Sequence, residues 1–125
     1  MAARTFLIRA ILTFVLLILA FFPLTSHSGA LVVDEFVRLD QNYPNPFNGT
    51  TEVTYSIPAP GHVNLRVYNM LGQEVRTLVD EDEGRQEYHV RFDGNGLPSG
   101  QYTYTLIYTA NGNVAKLSHK MYLVK

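Results

Sequence analysis

The sequence predicts an all-β body of short antiparallel strands preceded by a hydrophobic leader. From Glu52 onward, apolar and polar residues alternate with period two, as expected for half-buried strands. Turn-forming residues separate these runs, and no segment shows a helical repeat. Seven short antiparallel strands in about 90 residues are typical of an immunoglobulin-like β-sandwich, so a seven-stranded antiparallel immunoglobulin-like β-sandwich is the predicted fold.

Alternating residues place the strands along the chain. One short strand is expected at 36–39, and six more follow Glu52. The last strand is expected to run from Val114 to Val124. The residues that mark the six later strands are Val53, Tyr55 and Ile57; Val63, Leu65 and Val67; Val75, Thr77 and Val79; Tyr88, Val90 and Phe92; Tyr102, Tyr104, Leu106 and Tyr108; and Leu117, Met121 and Leu123.

The connections between strands also have recognisable signals. Residues 69–72 form an expected tight turn, in which Gly72 can adopt a positive φ, and Asn111-Gly112 is a strong hairpin signal. The acidic run 80–84 is predicted to be a solvated loop. Tyr102 follows Gly100 at the start of the sixth strand, where such sandwiches often place a tyrosine corner.

Residues 1–30 have the pattern of a secretory signal peptide. Arg4 and Arg9 precede an uncharged run from 10 to 22, which Pro23 ends. That run is shorter than the ~20 residues of a bilayer span. Small residues at 28–30 suit cleavage after Ala30, and the alternative is an uncleaved membrane anchor. The general secretory machinery and a signal peptidase are therefore expected partners, with membrane contact only through the leader before cleavage.

Composition excludes several classes of function for the remaining chain. Residues 31–125 contain eight Lys and Arg and eleven Asp and Glu, a formal charge of −3, which argues against nucleic-acid binding. The absence of cysteine excludes disulfides, cysteine-ligated zinc, iron–sulfur clusters and thiol catalysis.

No catalytic or metal-binding arrangement is recognisable in the sequence. His62, His89 and His119 fall in three different predicted strands without metal-ligand spacing. The serines lack the context of a nucleophile elbow, and a calcium-loop pattern beginning at Asp93 fails at Leu97. The sequence therefore predicts a protein that is not an enzyme and needs no cofactor.

The segment 42–48 has an unusual composition. Pro44 and Pro46 are expected to fix an extended, polyproline-like backbone. A spacing of three residues then places three asparagines on one edge: Asn42, Asn45 and Asn48. Tyr43 and Phe47 are expected to anchor the segment by aromatic burial. The segment is interpreted as an ordered lead-in that covers one end of the sandwich, the alternative being a recognition epitope. In the predicted organisation, the lead-in occupies 31–50, with a possible first strand, and the sandwich 51–125.

Four blocks of the sequence, in order, resemble the type A C-terminal sorting domain of the type IX secretion system. Together they cover nearly all of residues 39–125, and their order makes the resemblance specific. The chain is also similar to the immunoglobulin-like domain of flagellar hook-capping proteins. The blocks are LDQNYPNPFN at 39–48, YNMLGQEV at 68–75 with LV at 78–79, GLPSGQY at 96–102, and KMYLVK at 120–125.

The resemblance implies that the domain acts as an address and not as a catalyst. It implies recognition by the type IX outer-membrane translocon after transit through the periplasm, and removal by a surface sortase-like peptidase. The destination would be the cell surface or the extracellular space. Recognition is assigned to the terminal block 120–125. Met121 and Leu123 are expected to be buried, and Lys120 and Lys125 to be exposed. The free backbone groups of this edge strand are a further expected contact.

Two features depart from the family pattern. Gly49 stands where the family normally has proline, and only about eight residues separate Ala30 from Leu39 as possible cargo. Three explanations remain open: a truncated cargo gene, a small secreted protein that is itself the product, or a periplasmic module that has borrowed the fold. An exported adhesion or carbohydrate- or protein-binding module is the alternative function, for which the eight tyrosines are the motivation.

Overall fold

The computed structural model describes residues 36–125, which form an all-β structure of seven strands in two antiparallel sheets. The predicted signal peptide at 1–30 lies outside the described residues. Over 36–125, no helix has the length and apolar character needed to cross a membrane. The strands are β1 (Arg38–Leu39), β2 (Thr50–Ile57), β3 (Gly61–Tyr68), β4 (Glu74–Glu83), β5 (Gln86–Asp93), β6 (Gly100–Ala110) and β7 (Asn113–Leu123).

The seven strands divide into a three-stranded sheet and a four-stranded sheet. The first has the order β1-β2-β5 and the second the order β4-β3-β6-β7. β6 and β7 form a hairpin that pairs from Ala110↔Asn113 to Gly100↔Leu123. Its turn residues Asn111 and Gly112 have φ angles of 51° and 77°, so the predicted hairpin is confirmed.

The core lies between the inner faces of the two sheets. Val53, Tyr55 and Ile57 of β2 are buried, as are the alternating residues of β3 and β6 predicted from the sequence. Leu39 and Phe47, which lie before β2, belong to the same cluster. Sixteen apolar side chains form this buried cluster, so burial of the alternating residues is the main stabilising contribution.

The prediction that 80–84 is a solvated loop is wrong. β4 continues to Glu83, and its acidic residues pair with the first half of β3, from Asn64↔Asp80 to Gly61↔Glu83. His62 of β3 bonds to both Asp80 (2.7 Å) and Asp82 (2.8 Å). β4 is an edge strand, where charged side chains are readily solvated. Residues 80–83 therefore pair with β3 through their backbones, with Asp80, Glu81 and Asp82 exposed and Glu83 half-buried.

Candidate functional site

The four sequence blocks converge at one end of the sandwich, here called the motif end and formed by residues 41–50, 68–74, 93–102 and 120–125. β3 ends where β6 begins, because Tyr68 pairs with Thr103. β6 begins where β7 ends, because Gly100 pairs with Leu123. Segments that are far apart in the sequence therefore build one surface around the C-terminal strand.

The lead-in is bound along the outer edge of β7. The Phe47 amide donates to the Tyr122 carbonyl (2.9 Å), and the Val124 amide donates to the Phe47 carbonyl (2.9 Å), forming a parallel bridge. The Tyr122 amide donates to Asn45 Oδ1 (3.0 Å). Gln41 Nε2 donates to the Lys120 carbonyl (2.7 Å). The sequence-based expectation of a free C-terminal edge is therefore wrong over residues 120–124, because the lead-in occupies it.

Asn42 holds the lead-in in its conformation from a buried position. Its side-chain amide donates to Thr51 Oγ1 (3.0 Å) and to the Pro44 carbonyl (3.1 Å). Its backbone amide donates to the Tyr104 hydroxyl (2.8 Å), which in turn donates to the Asp40 carbonyl (2.6 Å). Only 2% of Asn42 is exposed, so these bonds satisfy polar groups that water does not reach.

Two expectations for the lead-in are wrong. Tyr43 is 82% exposed, whereas Phe47 is buried as predicted. The asparagines do not share one edge, since Asn42 is buried and Asn48 is exposed. The segment is bound at Asn42 to Tyr104 and at Phe47 to β7, so a polyproline-like spacing of three along one edge does not apply. Both X-Pro peptide bonds are cis. Antiparallel bonds between Tyr43 and Glu52 hold Tyr43 against the start of β2 with its side chain outward.

Phe47 and Leu123 belong to the same buried cluster, and both side chains lie beside Gly94 at the motif end. Phe47 packs edge-to-face on Phe92, with ring centroids 5.8 Å apart. A Cβ atom at Gly94 would lie 3.0 Å from a Leu123 methyl carbon and 3.1 Å from the Phe47 ring. The turn after β5 therefore approaches closely enough to cover both side chains only because residue 94 has none.

The block 96–102 fixes the start of β6 and the end of the chain. The Tyr102 hydroxyl donates to the Pro98 carbonyl (2.7 Å), which is the geometry of the predicted tyrosine corner. The Lys125 amide donates to Ser99 Oγ (3.0 Å). This block therefore supports the final residues from the side opposite the lead-in.

The block 68–75 forms the predicted tight turn between β3 and β4. Asn69 Oδ1 accepts bonds from the amides of Leu71 and Gln73 (3.0 Å each). Gly72 adopts a φ of 76°, a left-handed conformation that favours glycine. Met70 and Leu71 at the tip are 75% and 82% exposed, so the turn presents apolar side chains to solvent.

Gly49, which departs from the family pattern, has a structural role in this chain. Its φ is 93°, which proline cannot adopt because its ring holds φ near −65°. The Gly49 carbonyl accepts a bond from the Gly94 amide (2.7 Å). The lead-in of this chain therefore reaches β2 by a backbone path that requires glycine.

The terminal block has its side chains divided as the sequence predicts. Met121 and Leu123 are buried, and Lys120 and Lys125 are exposed. Sequence reasoning missed two accessible side chains between them, Tyr122 and Val124, which are 44% and 54% exposed. Their alternation with buried neighbours is a signal that could have identified them. Only the exposed residues of this block can therefore contact a partner directly, since Met121 and Leu123 are buried.

The three histidines do not converge. His62 lies on the four-stranded sheet, where hydrogen bonds to Asp82 and Asp80 raise its pKa. His89 lies on the three-stranded sheet beside Glu52 (3.1 Å). His119 Nε2 donates to the Leu39 carbonyl (2.7 Å). Among residues 36–125, no group of His, Asp and Glu is arranged to hold a metal ion.

Four of the eight tyrosines are buried in the core. Tyr102, Tyr104 and Tyr108 are buried, and each hydroxyl donates to a backbone carbonyl. Burial raises the pKa of Tyr104 to about 12. Burial also raises the pKa of Tyr55, whose hydroxyl donates to Glu83, so this group stays protonated at neutral pH. A tyrosine-rich sequence therefore reflects bulky strand residues whose hydroxyls find carbonyl or carboxylate partners.

Comparison with known proteins gives one family match for the chain. A search of curated proteins finds no match to the chain. The family described as "Secretion system C-terminal sorting domain" matches residues 41–122, which include three of the four converging blocks and the first residues of the fourth. The match thus covers about two thirds of the chain and nearly all of the described strands. The chain belongs to the family of type IX secretion system C-terminal sorting domains, which direct export to the cell surface or the extracellular space.

Proposed function

We propose that the motif end is the surface through which the type IX outer-membrane translocon recognises this domain. The observation that carries the proposal is the convergence of the family's sequence blocks around the last six residues. Lys120, Tyr122, Val124 and Lys125 have accessible side chains there. A surface of two cations and two apolar groups on rigid strands suits specific protein recognition.

Met121 and Leu123 have a different role in this proposal. Both are buried in the common core, so they anchor the strand and do not touch a partner. The strand order β1-β2-β5 and β4-β3-β6-β7 supports the finer assignment of the fold as an immunoglobulin-like sandwich. The domain then acts as a rigid frame that holds the last strand in one conformation.

The proposed route of the chain follows from these assignments. Residues 1–30 act as a signal peptide for the general secretory machinery and are removed by signal peptidase. The sandwich folds in the periplasm, docks on the translocon, and is delivered to the surface, where a sortase-like peptidase acts on it. The domain contributes no catalysis in this route, in keeping with its family.

The experiment is a surface-display assay that leaves the core intact. Residues 31–125 are fused to the C-terminus of a reporter in a bacterium with a type IX system. Deleting 120–125 is a poor test because it removes two core side chains. Substituting Lys120→Glu, Tyr122→Ser, Val124→Ser and Lys125→Glu together changes only exposed groups. We expect surface display of this variant to fall to the level of a fusion without the domain.

A matched control separates recognition from a general effect of charge. Arg85→Glu with Arg91→Glu reverses two exposed cations outside the motif end, and surface display should be retained. Circular dichroism of both purified variants must show intact β structure. Display of the four-residue variant at the level of the unmodified fusion would reject the proposal.

A further inference from the structure

The first half of β7 has a backbone edge that the lead-in does not cover. Two residues show which way the backbone of β7 faces. The amide and carbonyl of Tyr122, and the carbonyl of Lys120, point away from β6 and toward the lead-in. By the alternation of an antiparallel ladder, the groups of Val114, Lys116 and Ser118 point in the same direction. Within residues 36–125 no hydrogen bond from these outward backbone groups exists. This stretch is therefore an open template for another strand.

An apolar groove lies directly beside this open edge. It has a volume of about 480 Å³ and runs between the start of the lead-in and β7. Its apolar walls include Phe36 and Val37 on one side and Ala115 and Leu117 on the other, with Tyr108 beneath. Phe36 is 79% exposed. A strand added to β7 would therefore bury every second side chain among apolar groups.

The outer face of the same strand is basic. Lys116 and Lys120 alternate with the residues that face the groove, and both are exposed. In the part of the chain that the structure describes, neither ammonium has an ion-pair partner. The acidic residues of the four-stranded sheet lie on β4, the opposite edge strand. Charge on an added strand would therefore be attracted if negative and repelled if positive.

We propose that the edge of β7 from Val114 to Ser118 binds an extended peptide segment in which apolar and acidic residues alternate. The apolar side chains enter the groove, the acidic ones lie beside Lys116 and Lys120, and the backbone extends the four-stranded sheet. This is strand addition to an exposed sheet edge. The open backbone edge at 114–118 lies toward the Asn111-Gly112 turn, away from the motif end, and shares only Lys120 with it. The proposal does not depend on the sorting role proposed above.

The test measures binding of a short fluorescein-labelled peptide of alternating Val and Glu to the purified protein by fluorescence anisotropy. We expect saturable binding that weakens as salt is raised, because the exposed charge pairs are screened. A peptide of alternating Val and Lys should bind at least about fivefold more weakly. Absence of saturable binding by the Val-Glu peptide, or equal binding of the two peptides, would overturn the proposal.

Three substitutions at one position separate charge from backbone pairing. Lys116→Gln removes the charge and keeps the amide, while Lys116→Glu should weaken binding by about fivefold. Lys116→Pro removes an amide that the hairpin does not use, and should weaken binding by about fivefold beyond Lys116→Gln. Arg91→Glu, on the edge strand of the other sheet, should leave binding unchanged. If Lys116→Pro fails to fold, equal binding by Lys116→Glu and the unmodified protein would still refute the site.

Discussion

Replacing Leu123 with alanine tests whether the last strand is a core element of the domain in solution. Leu123 is 1% exposed, and its methyl groups lie beside Gly94, as does the Phe47 ring. Leu-to-Ala changes in cores cost about 2–5 kcal/mol, and the cost is greatest where neighbours cannot fill the cavity. Gly94 has no side chain to move, so we expect a loss of about 3–4 kcal/mol.

That loss is a large part of the stability of a domain of this size. About 90 residues correspond to a free energy of unfolding of roughly 5–13 kcal/mol. At about 4–8 °C per kcal/mol, the melting temperature should fall by about 12–32 °C. Urea unfolding followed by tyrosine fluorescence measures the change, since the chain has no Trp.

Val124 provides the matched control one residue further along. It is 54% exposed, so Val124→Ala should change the free energy of unfolding by no more than about 0.5 kcal/mol. The reasoning fails if Leu123→Ala costs less than about 1 kcal/mol, or if the two variants are equally stable. In the display assay, the two substitutions should act for different reasons, Leu123→Ala through folding and Val124→Ala through contact.

Three further outcomes are expected. Tyr104→Phe should cost about 2–3 kcal/mol in urea unfolding, because the buried Asn42 amide loses its acceptor and a backbone carbonyl loses its donor. Gly72→Ala should cost about 1–2 kcal/mol because of its positive φ, whereas Gly84→Ala, with open space around it, should not destabilise. The pKa of His62 is raised in the folded protein, so its contribution to the free energy of unfolding is present below about pH 6.5 and is lost as the pH rises through the raised pKa. His62→Gln should therefore lower the urea midpoint more at about pH 6 than at about pH 8.5.

Alternation predicted most strands because burial of one face decides strand register. In β3 and β6 the buried apolar residues recur at every second position, and a slip of one residue would turn all of them to the other face. The same rule failed for the acidic run at 80–83. Both faces of that stretch are charged, so alternation carries no signal, and its strand conformation comes from the ladder to β3. Register shifts in this pairing also place Leu78 among the half-buried residues beside Val79.

The path of the lead-in could not be predicted from its composition. Prolines and asparagines indicated an ordered segment, and Phe47 was correctly expected to be buried. Which other residues turn inward depends on tertiary hydrogen bonds, such as those from Asn42 to Thr51 and to Tyr104. These partners are distant in the sequence and leave no local pattern. Long-range contacts of the same kind also occupy the backbone edge of β7 at 120–124. The sequence of the strand alone had predicted that this edge would be free.

The motif end is assembled from separate segments of the chain, and this affects how a partner can recognise the domain. Its parts come from 41–50, 68–74, 93–102 and 120–125, so the unfolded chain does not possess the surface. In the folded domain, β6 holds one edge of the last strand, and Phe47, Asn45 and Ser99 bind its final residues. A partner that recognises the exposed residues of 120–125 in that conformation therefore selects folded domains over unfolded ones. On this argument a buried substitution such as Leu123→Ala reduces sorting in proportion to the unfolded fraction, while the four exposed substitutions reduce it in fully folded protein.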